Sequence, residues 1–328
     1  EIPDLFNNYN LKDWNNRIKG FYKIYKKDRI FDMIPKYILD NYNIEIAKAI
    51  YNVDIKIDNE DYYNQLRLQL YSLGKCELNG IKITDNSVSN IDGFIYPDYE
   101  YDTTSTGRLY NRYPVSFQNL SKNSDIRHKL VSRFEGGKIL TADWNSIDLR
   151  VLFAMAGEYI NTDDLHSDIA KMILEKEEIT EEERRTVKEI NFSIVYGAGL
   201  DSVSKKTGIE KERLMLLIQK LFIKFPKLKE FIIKTRNDIL EKGYAESFFG
   251  RKRYLSKDDT TKFINSTIQQ TSADICLRAV EHANELFDYI NIKSKIIPYI
   301  VYDKLAFDID NKELEHDYVQ NMITNVMS

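Results

Sequence analysis

Three short stretches of the 328-residue sequence carry side chains whose types and spacing suit chemistry on phosphates. The first runs Thr141-Ala-Asp143-Trp-Asn-Ser-Ile-Asp148-Leu-Arg150. An aspartate that closes an apolar strand stands at the rim of a sheet. There its carboxylate either caps the helix that follows or offers hard oxygen to a divalent cation. The second contains Arg184, Lys188, Phe192 and Tyr196, each four residues after the last, and then Gly197. At ~100° per residue a step of four drifts only ~40°, so all four share one helix face. The stripe is either a solvated basic end above buried aromatics, or a face for a ligand with a phosphate tail and a flat ring. Cations would pair with the tail and an aromatic would stack on the ring. The third has Tyr302-Asp303-Lys304 between the apolar runs Ile296–Val301 and Leu305–Asp308. An aspartate in a turn is ordinary. Asp143 and Asp303 stand 160 residues apart, yet two aspartates at the tips of apolar strands can meet across one sheet. Such a pair can clamp two metals ~3.5–4 Å apart, the arrangement suited to in-line phosphoryl transfer.

The surrounding pattern supplies elements to hold these residues. Lys138–Ala142 reads as a short strand running into Asp143, and Ile147–Ala156 as a helix. Residues 180–196 read as a strong helix whose acidic first turn suits the positive end of the macrodipole. Residues 209–242 form two helices split at Phe225-Pro226, and 260–287 form another. The runs either side of Tyr302-Asp303-Lys304 read as a β-hairpin. Short strands surround Gly80 and Gly93. Residues 1–75 read as irregular helices anchored by Trp14, Phe21, Tyr22 and Phe31, with no chemistry to extract.

Composition sets the outer bounds. Hydrophobic residues at 43% and charged residues at 30% exclude a disordered chain. At this length a single core usually divides into lobes. No apolar run approaches the ~18 residues of a membrane helix, so no membrane role is expected. Two cysteines and four scattered histidines exclude a disulfide framework and a zinc cluster. The 47 Lys/Arg and 51 Asp/Glu give a net charge of −4, which by itself speaks against nucleic acid. The total conceals a segregation: residues 205–262 hold 16 Lys/Arg and 8 Asp/Glu, a local net of +8, leaving −12 for the rest. The Arg251-Lys252-Arg253 run reads as a path for nucleic-acid phosphates there. The sequence opens at Glu1 without a methionine or signal-peptide pattern, as expected of a processed product or a domain of something longer.

In this order, the segments resemble the family A DNA polymerases, the bacterial DNA polymerase I type. Asp143–Arg150 is similar to that family's motif A, Asp-Tyr-Ser-Gln-Ile-Glu-Leu-Arg. Arg184–Gly197 matches every fixed position of motif B, Arg-x-x-x-Lys-x-x-x-Phe-x-x-x-Tyr-Gly. Tyr302-Asp303-Lys304 falls where motif C reads His-Asp-Glu. Further matches are Thr104–Leu109 with Gln118-Asn119-Leu120, Ile126-Arg127 leading to Phe134 and Gly136, Asp164-Leu-His166, Phe249–Tyr254, and Asn265 through Gln269 to Ile275. The resemblance spans roughly 93–310.

The resemblance implies an α+β right-hand polymerase fold, with an antiparallel-sheet palm and a helical fingers subdomain. Residues 1–74 would be a reduced or truncated thumb, 75–159 the first part of the palm with motif A, 160–260 the fingers with motif B, and 261–328 the second part of the palm with motif C. It implies template-directed DNA synthesis onto a primer 3′-hydroxyl with release of pyrophosphate. Asp143 and Asp303 would hold two Mg²⁺, with Mn²⁺ able to substitute. Arg184 and Lys188 would hold the triphosphate, Lys188 also serving the leaving group, with His166 adding a phosphate contact. Phe192 would flank the incoming nucleotide, and Tyr196 would sit by the templating position. Arg108, Gln118, Asn119, Asn265 and Gln269 would touch the primer–template minor groove, whose acceptors are nearly sequence-independent. Arg251 and Arg253 would follow template phosphates. Partners would be primer–template DNA and deoxynucleoside triphosphates, in an intracellular setting: cytoplasm or nucleoid of a bacterial or phage-infected cell, with an organelle still open.

Several positions depart from the pattern. Asp148 stands where the family has a Glu that gates against the ribose 2′-hydroxyl. It is one methylene shorter, so a looser gate is expected. Lys304 replaces Glu and puts a cation near the metals, either weakening metal binding or contacting DNA. Tyr302 replaces His, and Trp144 replaces Tyr as packing. Ser328 follows soon after motif C, so a closing palm segment is expected to be missing or supplied by another chain or segment. No 3′–5′ exonuclease carboxylate pattern is visible, so proofreading is expected to be absent or supplied from elsewhere. The alternatives are a catalytically weak or inactive polymerase-like DNA-binding subunit, a relative of the single-subunit RNA polymerases, and a metal-dependent nuclease.

Overall fold

The computed structural model describes residues 59–314 apart from 86, 87, 89, 102 and 122, and also residues 321, 323, 324, 326 and 327. Most of the expected N-terminal segment, with Trp14, Phe21, Tyr22 and Phe31, lies outside the described residues. Asp61–Ser328 makes one compact unit. The helix Glu60–Asn79 runs through positions 74 and 75 without a break. Leu73 and Cys76, one turn apart on its inner face, anchor it in the same core as the sheet.

The strands, in chain order, are β1 (Ile81–Ile83), β2 (Phe94–Ile95), β3 (Tyr99–Glu100), β4 (Tyr110–Asn111), β5 (Leu130–Val131), β6 (Lys138–Asp143), β7 (Tyr244–Glu246), β8 (Lys252–Tyr254), β9 (Lys295–Val301) and β10 (Lys304–Ile309). All their pairings are antiparallel. The central sheet is ordered β6-β10-β9, so the hairpin arm β10 lies in the middle. Side chains alternate across a strand, and here both faces are covered. Leu305, Phe307 and Ile309 point into one core with Leu277, Val280 and Phe287, while Ala306 points into the other with Ile81, Ile95 and Phe117. That double burial explains why the sequence around Asp303 is a continuous apolar run rather than an alternating one. Register then fixes the site: β10 pairs with β6 so that Lys304 faces Asp143 and Ile309 faces Lys138.

Helices Ile147–Met155, Leu165–Leu174, Glu181–Tyr196, Lys211–Lys224 and Pro226–Lys242 pack around a separate core containing Leu152, Ile169, Val187, Leu221 and Leu228. The Glu181–Tyr196 helix starts at a capping box, in which Thr180 accepts from the Glu183 N–H and Glu183 accepts from the Thr180 N–H. It stops at Gly197, whose φ is +68° and where a Cβ would lie 2.1 Å from the Thr261 carbonyl oxygen. Only glycine fits there.

The helix Phe263–Tyr289 joins the two layers. Ile264 and Ile268 belong to the helical core, and Leu277, Val280 and Ala283 to the sheet core. Its first half also buries Ser266, Thr267, Gln270, Thr271 and Ser272. These polar groups bond back one turn, as in Ser266 to the Lys262 carbonyl at 2.6 Å and Thr271 to the Thr267 carbonyl at 2.9 Å. Such back-bonding satisfies a buried hydroxyl without a distant partner. Among the described residues no helix is long and apolar enough to cross a membrane.

Candidate nucleotide and metal site

Arg108, Asp143, Asp148, His166, Lys188, Phe192, Tyr196 and Asp303, up to 195 residues apart in the chain, line one open cavity of about 590 Å³. β6 delivers Asp143 at its last position, and the two-residue turn Tyr302-Asp303 delivers Asp303 beside it. Tyr302 takes a left-handed φ of +57° to close that turn. The Trp144 N–H donates to the Asp303 carbonyl at 3.4 Å, which ties the two strand ends together. Burial, and then the charge of Asp143, push the Asp303 carboxyl above its ordinary range. Crowded carboxylates of this kind are relieved by a cation. One is already present: Lys304 Nζ lies 3.3 Å from Asp143 Oδ2.

The residues fit Mg²⁺ of the kind that keeps several waters. Two carboxylates share one cavity wall, and no group of three His, Cys, Asp or Glu side chains able to hold a metal occurs among the described residues. Mg²⁺ is commonly bound by one or two carboxylates plus substrate phosphates, so this donor set suits it and would not suit zinc.

Facing the aspartates is the stripe predicted for the Glu181–Tyr196 helix. Lys188 Nζ sits 5.5 Å from the Phe192 ring centroid, and the Phe192 and Tyr196 rings are 5.6 Å apart. Lys188 also lines an adjoining hollow with Arg184 and Arg185. Arg184 is oriented by Asp164, which accepts from Nε at 2.8 Å and from Nη2 at 3.2 Å. Hydrogen bonding from Arg184 holds the Asp164 carboxyl well below the usual range.

His166 is buried in the cavity wall, its Nδ1 3.2 Å from Asn191 Nδ2. Burial, then the charges of Lys188 and Arg184, pull it down to about 4, so it is neutral near pH 7. Among the described residues, buried Asn191 Oδ1 has no hydrogen-bond partner.

Asp148 is buried at the floor of the cavity. Its Oδ2 accepts from the Tyr196 hydroxyl at 2.6 Å and from Arg108 Nη2 at 2.7 Å, and its Oδ1 accepts from the Ser272 hydroxyl at 2.7 Å. Ser272, Asn191 and the partnership of Asp164 with Arg184 were missed by sequence reasoning. Nothing local marks Ser272 as reaching across 124 positions to Asp148. Asp164 entered the sequence reading only beside His166; it also caps the Leu165–Leu174 helix by accepting from the Ser167 N–H.

Of the expected duplex contacts only Arg108 lines this cavity; the others lie elsewhere among the described residues. Arg251 does not face solvent, as a residue following template phosphates would be expected to. It is buried, 2.7 Å from Asp274 Oδ1, donates to the Tyr62 hydroxyl at 2.9 Å, and lies 4.4 Å over the Tyr101 ring. Its guanidinium occupies the space above Gly107, where a Cβ would come within 1.1 Å of Nη1. Gln118 has its amide committed to the carbonyls of Leu109 at 3.3 Å and Ile300 at 3.2 Å, which leaves it no free donor pair for a groove. Arg253 is half-buried and donates to Ser266 at 2.7 Å. Asn119 is exposed, Gln269 is buried, and buried Asn265 Oδ1 has no hydrogen-bond partner among the described residues.

A mixed helix-and-sheet body with two aspartates at adjoining strand ends, opposite a cationic and aromatic helix face, has the fold of a polymerase domain. The Pol1 POL domain from M. smegmatis, solved with DNA primer-template and dNTP, superposes with a TM-score of 0.63 at 21% identity, over 89% of this chain and 51% of that one. The chain belongs to DNA polymerase family A, whose family model matches residues 55–328. DNA polymerase I of Borreliella burgdorferi is 30% identical over 249 residues, covering 69% of this chain and 27% of that protein. DNA polymerase I of Pseudomonas aeruginosa is 26% identical over 264 residues, covering 74% and 29%. The chain thus spans less than a third of the length of these curated relatives.

Proposed function

We propose that this chain is a DNA-directed DNA polymerase, extending a primer 3′-hydroxyl with deoxynucleotides on a DNA template. The observation that carries the reading is the shared cavity, with Asp143 and Asp303 on one wall and Lys188, Phe192 and Tyr196 on the other. The three-stranded sheet would be the palm and the helices between Leu165 and Lys242 the fingers. Asp143 and Asp303 would hold Mg²⁺, which when bound supplies activation of the 3′-hydroxyl and neutralisation of phosphate charge.

The side chains divide the remaining work. Arg184 and Lys188 bind the triphosphate, and Lys188 neutralises or protonates the departing pyrophosphate. Neutral His166 offers a ring N–H rather than a charge. Phe192 and Tyr196 present ring faces to the nucleotide and the templating base. Asp148 limits room beside the sugar. Exposed Asn119, its Nδ2 shared between the Tyr110 and Ser116 hydroxyls at 3.1 and 3.0 Å, lies at the surface for the primer–template duplex.

Primer extension on a DNA template with Mg²⁺ and deoxynucleotides tests this, with Asp143→Ala as control. Extension by the wild-type chain that is lost in the variant is expected. Extension with ribonucleotides alone would move the reading to an RNA polymerase. The ion pair between Lys304 and Asp143 favours a second reading, a catalytically weak DNA-binding subunit. Tight primer–template binding without extension would support it.

A further inference from the structure

Lys304 is placed against Asp143 by the sheet itself. The two are direct partners in the antiparallel β6/β10 ladder, and directly opposed side chains in such a ladder lie within reach of one another. The ammonium is 3.3 Å from Oδ2, both side chains are partly solvent-exposed, and Asp303 precedes Lys304 in the turn. As a surface ion pair it adds little to stability. Its consequence lies in what else that oxygen can bind.

We propose that Lys304 is a resident counter-ion that competes with divalent cations for Asp143. The inference rests on reading Asp143 and Asp303 as the cation ligands. A cation entering the pair must displace the ammonium from Oδ2 and then remain close to a positive charge. A dication within a few ångströms of a unit charge loses about tenfold in affinity even in a water-like dielectric. The chain without nucleotide should therefore bind divalent cations weakly. Triphosphate oxygens, by giving the ammonium another anion, should relieve the competition. Lys304 thus couples cation loading to nucleotide arrival.

The test is equilibrium binding of Mn²⁺ alone, followed by the electron paramagnetic resonance of the free ion, on the full chain without DNA or nucleotide. Lys304→Gln should bind Mn²⁺ about tenfold more tightly than wild type. Lys304→Arg, which keeps the charge, should bind as weakly as wild type. Equal affinities for wild type and Lys304→Gln, both lost in Asp143→Asn/Asp303→Asn, would overturn the competition and leave the ligand assignment intact. Binding that survives Asp143→Asn/Asp303→Asn would overturn the ligand assignment itself. Unchanged circular dichroism and thermal midpoint identify the variants as folded.

Discussion

The hydroxyl of Tyr196 donates to Asp148 Oδ2 at 2.6 Å, tying the last turn of the Glu181–Tyr196 helix to the first turn of the Ile147–Met155 helix. Burial and the charge of Asp148 push Tyr196 up to about 12, so the hydroxyl remains a donor at any working pH. Arg108 and Ser272 also donate to Asp148. Held from three sides and one methylene shorter than Glu, Asp148 reaches less far into the cavity. Asp148→Glu is therefore expected to raise discrimination against ribonucleotides by about tenfold, or ~1.4 kcal/mol, in the ratio of kcat/KM for deoxy- over ribonucleotides. Equal ratios for the two proteins would remove Asp148 from any role at the sugar.

The burial of Arg251 changes what its removal should do. Charge alone suggests weaker template binding and a flatter salt dependence. The structure instead makes Arg251 one half of a buried pair with Asp274. Removing one partner of such a pair costs about 3–5 kcal/mol, because the other charge is stranded. Arg251→Ala should lower the unfolding free energy by that amount, and with it the urea midpoint. Gly107→Ala should destabilise through the same site, by a strained φ of +72° and a Cβ in the space of the guanidinium. A wild-type urea midpoint for Arg251→Ala would refute this account.

Much of the site was legible because its spacing is local. The stripe from Arg184 to Tyr196 is fixed by helix period, and the hairpin around Asp303 by two apolar runs meeting at a turn. The meeting of Asp143 with Asp303 needed only the idea that both strand tips belong to one sheet. Arg251 was misread because a basic triplet looks the same in sequence whether solvated or buried. Its acidic partner, Asp274, lies 23 residues on, inside a helix whose polar face gives no sign of burial. Ser272 was invisible for the same reason: its role depends on which helix lies across it.

His166 supplies a pH signature. Buried beside Lys188 and Arg184, it titrates near 4 in the fold, against an ordinary value of 6.5. Between those values the unfolded chain takes up a proton that the folded chain refuses. Stability is therefore fully present above about pH 6.5 and falls as pH drops toward 4. His166→Gln should remove that part of the loss, on the order of 1–3 kcal/mol between pH 7.5 and 4.5 in urea titrations. Asp164, held low by Arg184, loses its contribution only at more acid pH, below the ordinary carboxylate range. The two effects separate along the pH axis. A pH profile for His166→Gln parallel to wild type would show that the imidazole is not held neutral.

Arg184 and Lys188 share a helix face but not a fate on substitution. The Nε and Nη2 of Arg184 are engaged by Asp164, which fixes the guanidinium before any ligand arrives and leaves the Nη1 edge for phosphate. A group pre-oriented in this way contributes equally to ground state and transition state, so Arg184→Ala should raise the nucleotide KM with a smaller change in kcat. Among the described residues Lys188 makes no ion pair that would fix it; its ammonium sits over Phe192 and lines both hollows. Negative charge grows on the departing pyrophosphate as the bond breaks, so an ammonium there acts mainly in the transition state. Lys188→Ala should lower kcat by about 10²–10⁴-fold with a modest change in KM. Lys188→Arg, which keeps the charge but holds its proton more tightly, should recover binding more fully than rate if proton donation matters. Single-turnover nucleotide incorporation separates these constants. Matching KM increases for Arg184→Ala and Lys188→Ala, with kcat intact in both, would make Lys188 a binding residue only.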